Sequence, residues 1–149
     1  MGNKTSYTEK QYIEELKSIK EIKTFSYEGL KVHVKVYSVY DGDTCNVIFK
    51  DTLDKDSQFK RIRCRMAHYD SAEIKGKSDK EKKLAISARD YLSERVLGKI
   101  VYVHFQKNDK WGRPIIEMYM KKGDQLSINQ LMIKNGYGKP YEGGKKEEW

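Results

Sequence analysis

Five polar side chains are spaced so that they could work together on a phosphate ester. Arg65 is followed five residues later by Asp70 and three after that by Glu73. A second arginine closes the segment Asp109-Lys110-Trp111-Gly112-Arg113, and the upstream turn Asp41-Gly42-Asp43 supplies the fifth from one of its two carboxylates. Arginine forks hold and neutralise a phosphate, a hard cation held by oxygen ligands polarises it, and a carboxylate prepares the attacking water. Asp-Gly-Asp on its own is a common turn signal. Its chemical reading depends on the company of the Arg65–Glu73 segment.

These residues fall where regular elements end. From Leu30 the hydrophobic period is two, with Val32, Val34 and Val36 alternating with His33, Lys35 and Tyr37, which predicts a half-buried strand broken at Asp41-Gly42-Asp43. Thr44–Lys50 forms a second strand, Asp51–Ser57 a polar turn, and Phe59–Ala67 a third strand with Ile62, Cys64 and Met66 alternating with Arg61, Arg63 and Arg65. Three strands joined by turns make an antiparallel meander. Ser78 and Glu81 match a capping box, and Leu84, Ala88, Tyr91, Leu92 and Val96 then line one helical face up to the stop at Gly98. Two short strands (Lys99–Gln106 and Pro114–Met120) precede a helix over Ser127–Asn135 with Ile128, Leu131 and Met132 inward. Near the start, Thr8 and Gln11 form another capping box, and Tyr12, Ile13, Leu16 and Ile19 recur at helical spacing from Glu9 to about Lys23. The expected fold is α+β: a five-stranded OB-fold barrel with packed helices over residues 30–149, plus an extra amphipathic helix in residues 1–29.

Composition narrows the classes. The 149 residues carry a formal net charge of +8, which points to a polyanionic partner without naming it. Eleven Tyr and four Phe argue against a disordered polymer, and no run of about 20 apolar residues is present to span a bilayer. Cys45 and Cys64 stand alone, so neither a disulfide framework nor a zinc site is indicated. The first residues lack the apolar core of a secretory signal, so an intracellular, cytoplasmic setting is expected. Met1-Gly2-Asn3-Lys4-Thr5-Ser6 fits the short N-myristoylation pattern, and one such chain on Gly2 would give weak membrane association.

Three motifs taken together carry a resemblance. Val39-Tyr40-Asp41-Gly42-Asp43-Thr44, then Arg65-Met66-Ala67-His68-Tyr69-Asp70-Ser71-Ala72-Glu73, then Asp109-Lys110-Trp111-Gly112-Arg113 resemble the staphylococcal nuclease (thermonuclease) family in order and separation, over about Val32 to Tyr141. The resemblance implies a Ca²⁺-dependent nuclease acting on DNA and RNA with little sequence preference. Asp43, Asp70 and the Ser71 carbonyl would then be the Ca²⁺ ligands, and Arg65 and Arg113 would clamp the scissile phosphate. Glu73 would be the water-activating carboxylate, while Lys110, Trp111 and Tyr141 would flank the substrate. Asp41 would serve the turn around the ligands. The other reading open at this point is a non-catalytic OB-fold module that binds single-stranded nucleic acid.

The departures from the family pattern also carry expectations. Ser71-Ala72-Glu73 stands where the family shows Thr-Pro-Glu, and the missing proline should loosen the turn that aims Glu73. Trp111 replaces a tyrosine with a larger stacking face. Tyr137 is a second, weaker candidate beside Tyr141 for substrate contact. His68 is expected to be a partly buried structural histidine and Cys64 a small core residue. Arg61 and Arg63 either solvate a strand face or contact phosphate. The family's long C-terminal helix has no counterpart up to Trp149, so the N-terminal helix is expected to cover part of the same apolar surface. Removing residues 1–24 should then lower the melting temperature.

Overall fold

The computed structural model describes residues 7–149, so the acylation pattern at Gly2 lies outside the described residues. The elements run α1 (Glu9–Ser18), β1 (Lys31–Asp41), β2 (Thr44–Phe49), β3 (Lys60–Met66), β4 (Tyr69–Asp70), α2 (Asp79–Val96), β5 (Ile100–Phe105), β6 (Ile115–Tyr119), α3 (Ile128–Lys134) and β7 (Lys139–Pro140). Five strands close a barrel in the order β1-β2-β3-β6-β5, with β5 returning to β1. All of its pairings are antiparallel except β3 with β6, where Arg65 and Met66 face Ile115 and Ile116. This is the expected five-stranded barrel of OB type, with the long helix following the third strand. The two-residue strands β4 and β7 form a separate antiparallel pair, Tyr69 with Pro140 and Asp70 with Lys139. They lie outside the sequence expectation, since two residues show no period.

Period-two alternation fills the barrel. Val34 and Val36 of β1, Cys45, Val47 and Phe49 of β2, and Cys64 and Met66 of β3 all point inward and are buried. Val101 and Val103 meet them from β5, and Ile116 and Met118 from β6. Cys64 is thus the small core residue expected. The helix α2 lays Ala85, Ala88, Leu92 and Val96 against the barrel. Ala85 takes a fully buried place, while Leu84 and Tyr91 are half-buried at the margin. Ser78 caps α2 by accepting from the Glu81 N–H at 3.1 Å, but the Glu81 carboxylate turns to the Lys77 N–H instead, so only half of the expected box forms.

The parallel seam is closed by one buried amide. Asn129, at the start of α3, donates to the carbonyls of Ala67 (2.9 Å) and Ile116 (3.0 Å) and accepts from the Met118 N–H (2.8 Å). Those backbone groups sit where β3 and β6 diverge, and an unpaired buried polar group there would cost about 1–3 kcal/mol. The same seam fixes the β3–β4 turn beside the site.

The chain joins the barrel at Tyr27. Its ring lies 5.3 Å from those of both Phe49 and Phe105, and the Gly29 N–H donates to the Phe105 carbonyl. What precedes it does not pack as expected. The helix α1 ends at Ser18, has both halves of its Thr8–Gln11 capping box, and contains no buried residue. Tyr12, Ile13, Leu16 and Ile19 remain between 41% and 51% exposed. The expectation that this helix covers barrel surface is therefore corrected: its apolar stripe stays exposed, and periodicity alone does not supply a surface for it to pack on. Deleting residues 1–24 is now expected to leave the melting temperature within about 1 °C, since only buried area contributes appreciably. Thermal unfolding followed by circular dichroism checks this. Among the described residues, no helix is long and apolar enough to cross a membrane.

Candidate active site

The β1–β2 turn is built to carry a buried carboxylate. Asp41 Oδ1 accepts from the Asp43 N–H at 3.1 Å, which folds the turn, and Thr44 Oγ1 donates to Asp43 Oδ1 at 2.9 Å. The second Asp43 oxygen accepts from the Ser71 N–H at 3.0 Å, and the Asp43 carbonyl accepts from the Met66 N–H at 2.7 Å. Tyr69, buried in the core, donates to the Gly42 carbonyl at 2.6 Å. Gly42 has no room for a side chain, because a Cβ there would lie 2.7 Å from that of Ala88 and 2.8 Å from that of Ser71. The turn is thus clamped between α2 and the segment after β4.

Arg65 ends β3 and is only 7% exposed. Its Nη2 lies 3.1 Å from Asp70 Oδ1 and 3.4 Å from Asp43 Oδ2, so one guanidinium ties the two turns together. Burial disfavours its charged form, but the two carboxylates more than compensate and raise its pKa further. Asp70 is placed by the β4–β7 pairing. Ser71 and Ala72 are each 1% exposed, so packing holds this segment where the family's proline is missing. Glu73 follows immediately and is exposed, its carboxylate on the rim of a cavity of about 200 Å³ that also takes in Asp43, Arg65 and Arg113.

The second arginine belongs to a turn organised by Asp109. Its carboxylate accepts from the backbone N–H groups of Trp111 and Arg113, each at 2.9 Å, and from Arg113 Nε at 2.5 Å. Burial opposes the charge on Asp109, yet the bonds from Arg113 and Trp111 outweigh it and hold the carboxyl below its usual range. Arg113 itself is exposed. Lys110, Trp111 and Tyr141 line an adjoining cavity of about 440 Å³ that also reaches Arg65. Lys110 Nζ lies 5.1 Å from the Trp111 ring, and the Tyr141 ring lies 5.4 Å from the Arg65 guanidinium. The structure therefore gathers Asp43, Asp70, Ser71, Arg65, Glu73 and Arg113 at one end of the barrel, with Lys110, Trp111 and Tyr141 beside them. Tyr137 takes no part: it packs 4.4 Å from Tyr91.

Two residues behave differently from expectation. His68 is exposed rather than partly buried, in the left-handed backbone region (φ 73°), with its ring 2.7 Å from Glu142 and 3.5 Å from Glu117. The tight β3–β4 turn forces that conformation and turns the ring outward. Lys146 stands outside the three motifs, yet its Nζ lies 3.2 Å from both Asp70 Oδ1 and Glu73 Oε1. Gly143 and Gly144, both at positive φ (100° and 90°), turn the tail back to make this contact. The adjacent glycines are the only sequence signal for it.

The cluster brings charges of both signs together. Four carboxylates (Asp41, Asp43, Asp70 and Glu73) lie among Arg63, Arg65, Lys75, Arg113 and Lys146. Burial first, and the charge of Asp43 second, push the Asp41 carboxyl up to about 7. Because that pKa is raised in the folded chain, the associated stability is present below the ordinary carboxylate range and lost as pH rises through about 7. Asp41→Asn keeps the oxygen that accepts from Asp43. It should raise the metal-free melting temperature at about pH 8 by several degrees and leave it unchanged near pH 4. Calorimetry at the two pH values checks this.

A closed OB-type barrel thus carries at one end a guanidinium fixed between two carboxylates, a donor arrangement whose chemistry suits a phosphate ester. Comparison with known families makes this specific: the model described as staphylococcal nuclease homologue matches residues 63–148, more than half of the chain, and the chain belongs to that family. The match begins after the Asp41-Gly42-Asp43 turn and takes in Arg65, Asp70, Glu73, Arg113 and Tyr141. Among curated proteins, the chain is 30% identical over 111 residues to an uncharacterized endonuclease of Escherichia coli O157:H7, an alignment covering 74% of this chain and 62% of that protein. A counterpart from Escherichia coli gives the same figures. An uncharacterized protein of Bacillus anthracis is 28% identical over 114 residues, covering 74% of this chain and 52% of that protein. The chain spans about three fifths or less of the length of these relatives.

Proposed function

We propose that this chain is a Ca²⁺-dependent nuclease that hydrolyses phosphodiester bonds of DNA and RNA with little sequence preference. The observation that carries the reading is the Arg65 guanidinium held between Asp43 and Asp70, with Glu73 and Arg113 on the same cavity. Family membership and the endonuclease names of two relatives support it.

The donor set fits a hard divalent cation. Asp43 and Asp70 are buried, offer only oxygen, and stand close enough together that one Arg65 nitrogen lies within 3.4 Å of both. Among the described residues, no three His, Cys, Asp or Glu side chains gather as a metal cluster, so two carboxylates, the Ser71 carbonyl and water would make up the shell. When bound, such a cation supplies charge that polarises the phosphoryl oxygens.

The chain's own residues do the rest. Arg65 holds one phosphate oxygen from a position it cannot leave without unpairing Asp43 and Asp70. Arg113, exposed on its turn and lining the same cavity, takes the same phosphate and meets the charge that grows as phosphorus becomes five-coordinate. Glu73 orients or deprotonates a water that attacks phosphorus in line with the departing 5′-oxygen. The phosphorus–O5′ bond breaks, the 5′-oxygen takes a proton from solvent to leave as a hydroxyl while the proton lost by the attacking water passes to solvent, and the phosphate stays on the 3′ side. Lys110 and Trp111 flank the strand with a charge and a stacking face.

Arg113→Ala should lower kcat by about 10²- to 10³-fold, the usual cost of one preorganised donor to a developing oxyanion. Steady-state cleavage of a labelled single-stranded oligonucleotide measures it. The same assay separates the alternative reading, an OB-fold module that binds single strands without turnover, for which the wild-type chain would bind and leave the strand intact.

A further inference from the structure

The outer face of β3 continues away from the site as a row of arginines. Arg61, Arg63 and Arg65 occupy alternate positions and so share one face, opposite Ile48, Asn46 and Thr44 of β2. Each guanidinium lies against a tyrosine ring: Arg61 at 4.4 Å from Tyr37, Arg63 at 4.5 Å from Tyr40, and Arg65 at 5.4 Å from Tyr141. Tyr37 and Tyr40 belong to β1 and meet these arginines across the intervening strand.

That meeting is produced by two irregularities. The β1–β2 register slips by one residue between Val36 and Ser38, and again between Val39 and Asp41. The residues left unmatched are Tyr37 and Tyr40. Simple alternation continued from Val34 and Val36 would send Tyr40 into the barrel. Tyr37 is outward by alternation, and the first bulge resets the parity so that Tyr40 stands on the same outer face, the two rings 52% and 40% exposed. The second bulge sets Asp41 opposite Thr44, beside Arg65. Among the described residues, neither Arg61 nor Arg63 pairs with a carboxylate, unlike Arg65 and Arg113. Tyr40 and Arg63 also line the cavity that holds Asp43, Glu73 and Arg113, so the row is continuous with the site.

Resting on the nuclease reading above, we propose that this face is a track for an extended single strand of nucleic acid. Arg63 and Arg61 take the first and second phosphates beyond the one held at Arg65, and Tyr40 and Tyr37 stack the intervening bases. Spacing selects the occupant. Two residues of strand advance about 6.7 Å, twice the rise of about 3.4 Å per phosphate in a stacked strand. A strand with one phosphate per arginine is therefore pulled out of its stack, which frees its bases for the tyrosine rings.

The test is binding of labelled thymidine oligonucleotides, with a uridine series beside them, followed by fluorescence anisotropy in EDTA. For a single strand of about ten nucleotides, R61A/R63A should weaken binding about 10- to 30-fold at about 0.1 M salt. It should also flatten the slope of log Kd against log salt by about 1.4, or 0.7 for each of two lost phosphate contacts. The loss should grow with length, because a dinucleotide does not extend to Arg61. Y37L/Y40L should weaken binding while leaving the slope unchanged, since stacking releases no counterions. A salt slope unaltered in R61A/R63A, in a wild-type chain that binds the longer strand, would overturn the track alone. A wild-type chain that binds no single strand would remove the nuclease reading together with it.

Discussion

Arg65→Ala is expected to lose turnover and stability together. Removing the guanidinium withdraws a preorganised donor from the transition state, a loss of about 10²- to 10³-fold in kcat or more. It also leaves Asp43 and Asp70 facing each other without their common partner, and breaking a buried pair costs about 3–5 kcal/mol. The two effects separate in Arg65→Lys. An ammonium restores the charge between the carboxylates, so most of the stability should return. It cannot present the planar fork, so kcat should stay at least about 10²-fold down. Urea unfolding and oligonucleotide cleavage on the same preparations give the two readouts. Full recovery of kcat in Arg65→Lys would reduce the role of Arg65 to charge alone.

Glu73→Gln should act on chemistry without touching the fold. Glu73 is exposed and its contact is with Lys146, so the isosteric amide should leave the melting temperature within about 1 °C. The amide can neither accept a proton nor hold water as strongly as a carboxylate, and kcat should fall about 10²- to 10⁴-fold. Affinity for a single-stranded oligonucleotide in EDTA should be preserved, because Glu73 contributes no positive charge to the strand. Equal losses of binding and turnover would mean that the substitution had disturbed the site rather than its chemistry.

The parts of the fold set by local pattern were readable. Val34 and Val36, Cys64 and Met66, and the serine and threonine caps declare their elements within a few residues, and the strand ends bring the three motifs together once the barrel is closed. What escaped depends on partners distant in sequence. Asn129 is an ordinary polar residue until α3 lowers it onto the parting of β3 and β6. Lys146 is one more tail lysine until Gly143 and Gly144 fold it onto Asp70 and Glu73. The bulges at Tyr37 and Tyr40 break the very alternation that makes β1 legible. The N-terminal helix shows the opposite error: capping and periodicity establish that α1 forms, but neither states what it packs against.

The +8 charge of the sequence accordingly divides into parts with different tasks. Arg65 is buried and paired, Arg113 is aimed by Asp109, and Arg61 and Arg63 stay uncommitted on the surface. The proposed reaction is cleavage of phosphodiester bonds by this arrangement with the help of a cation at Asp43 and Asp70. The most direct measurement is incubation of the purified chain with an end-labelled single-stranded DNA or RNA oligonucleotide, in Ca²⁺ or in EDTA, with products resolved on a denaturing gel. The prediction is shortened products bearing 3′-phosphates in Ca²⁺ and an intact strand in EDTA. Cleavage that proceeds equally in EDTA, or a strand left intact in Ca²⁺ while bound to the protein, would contradict it.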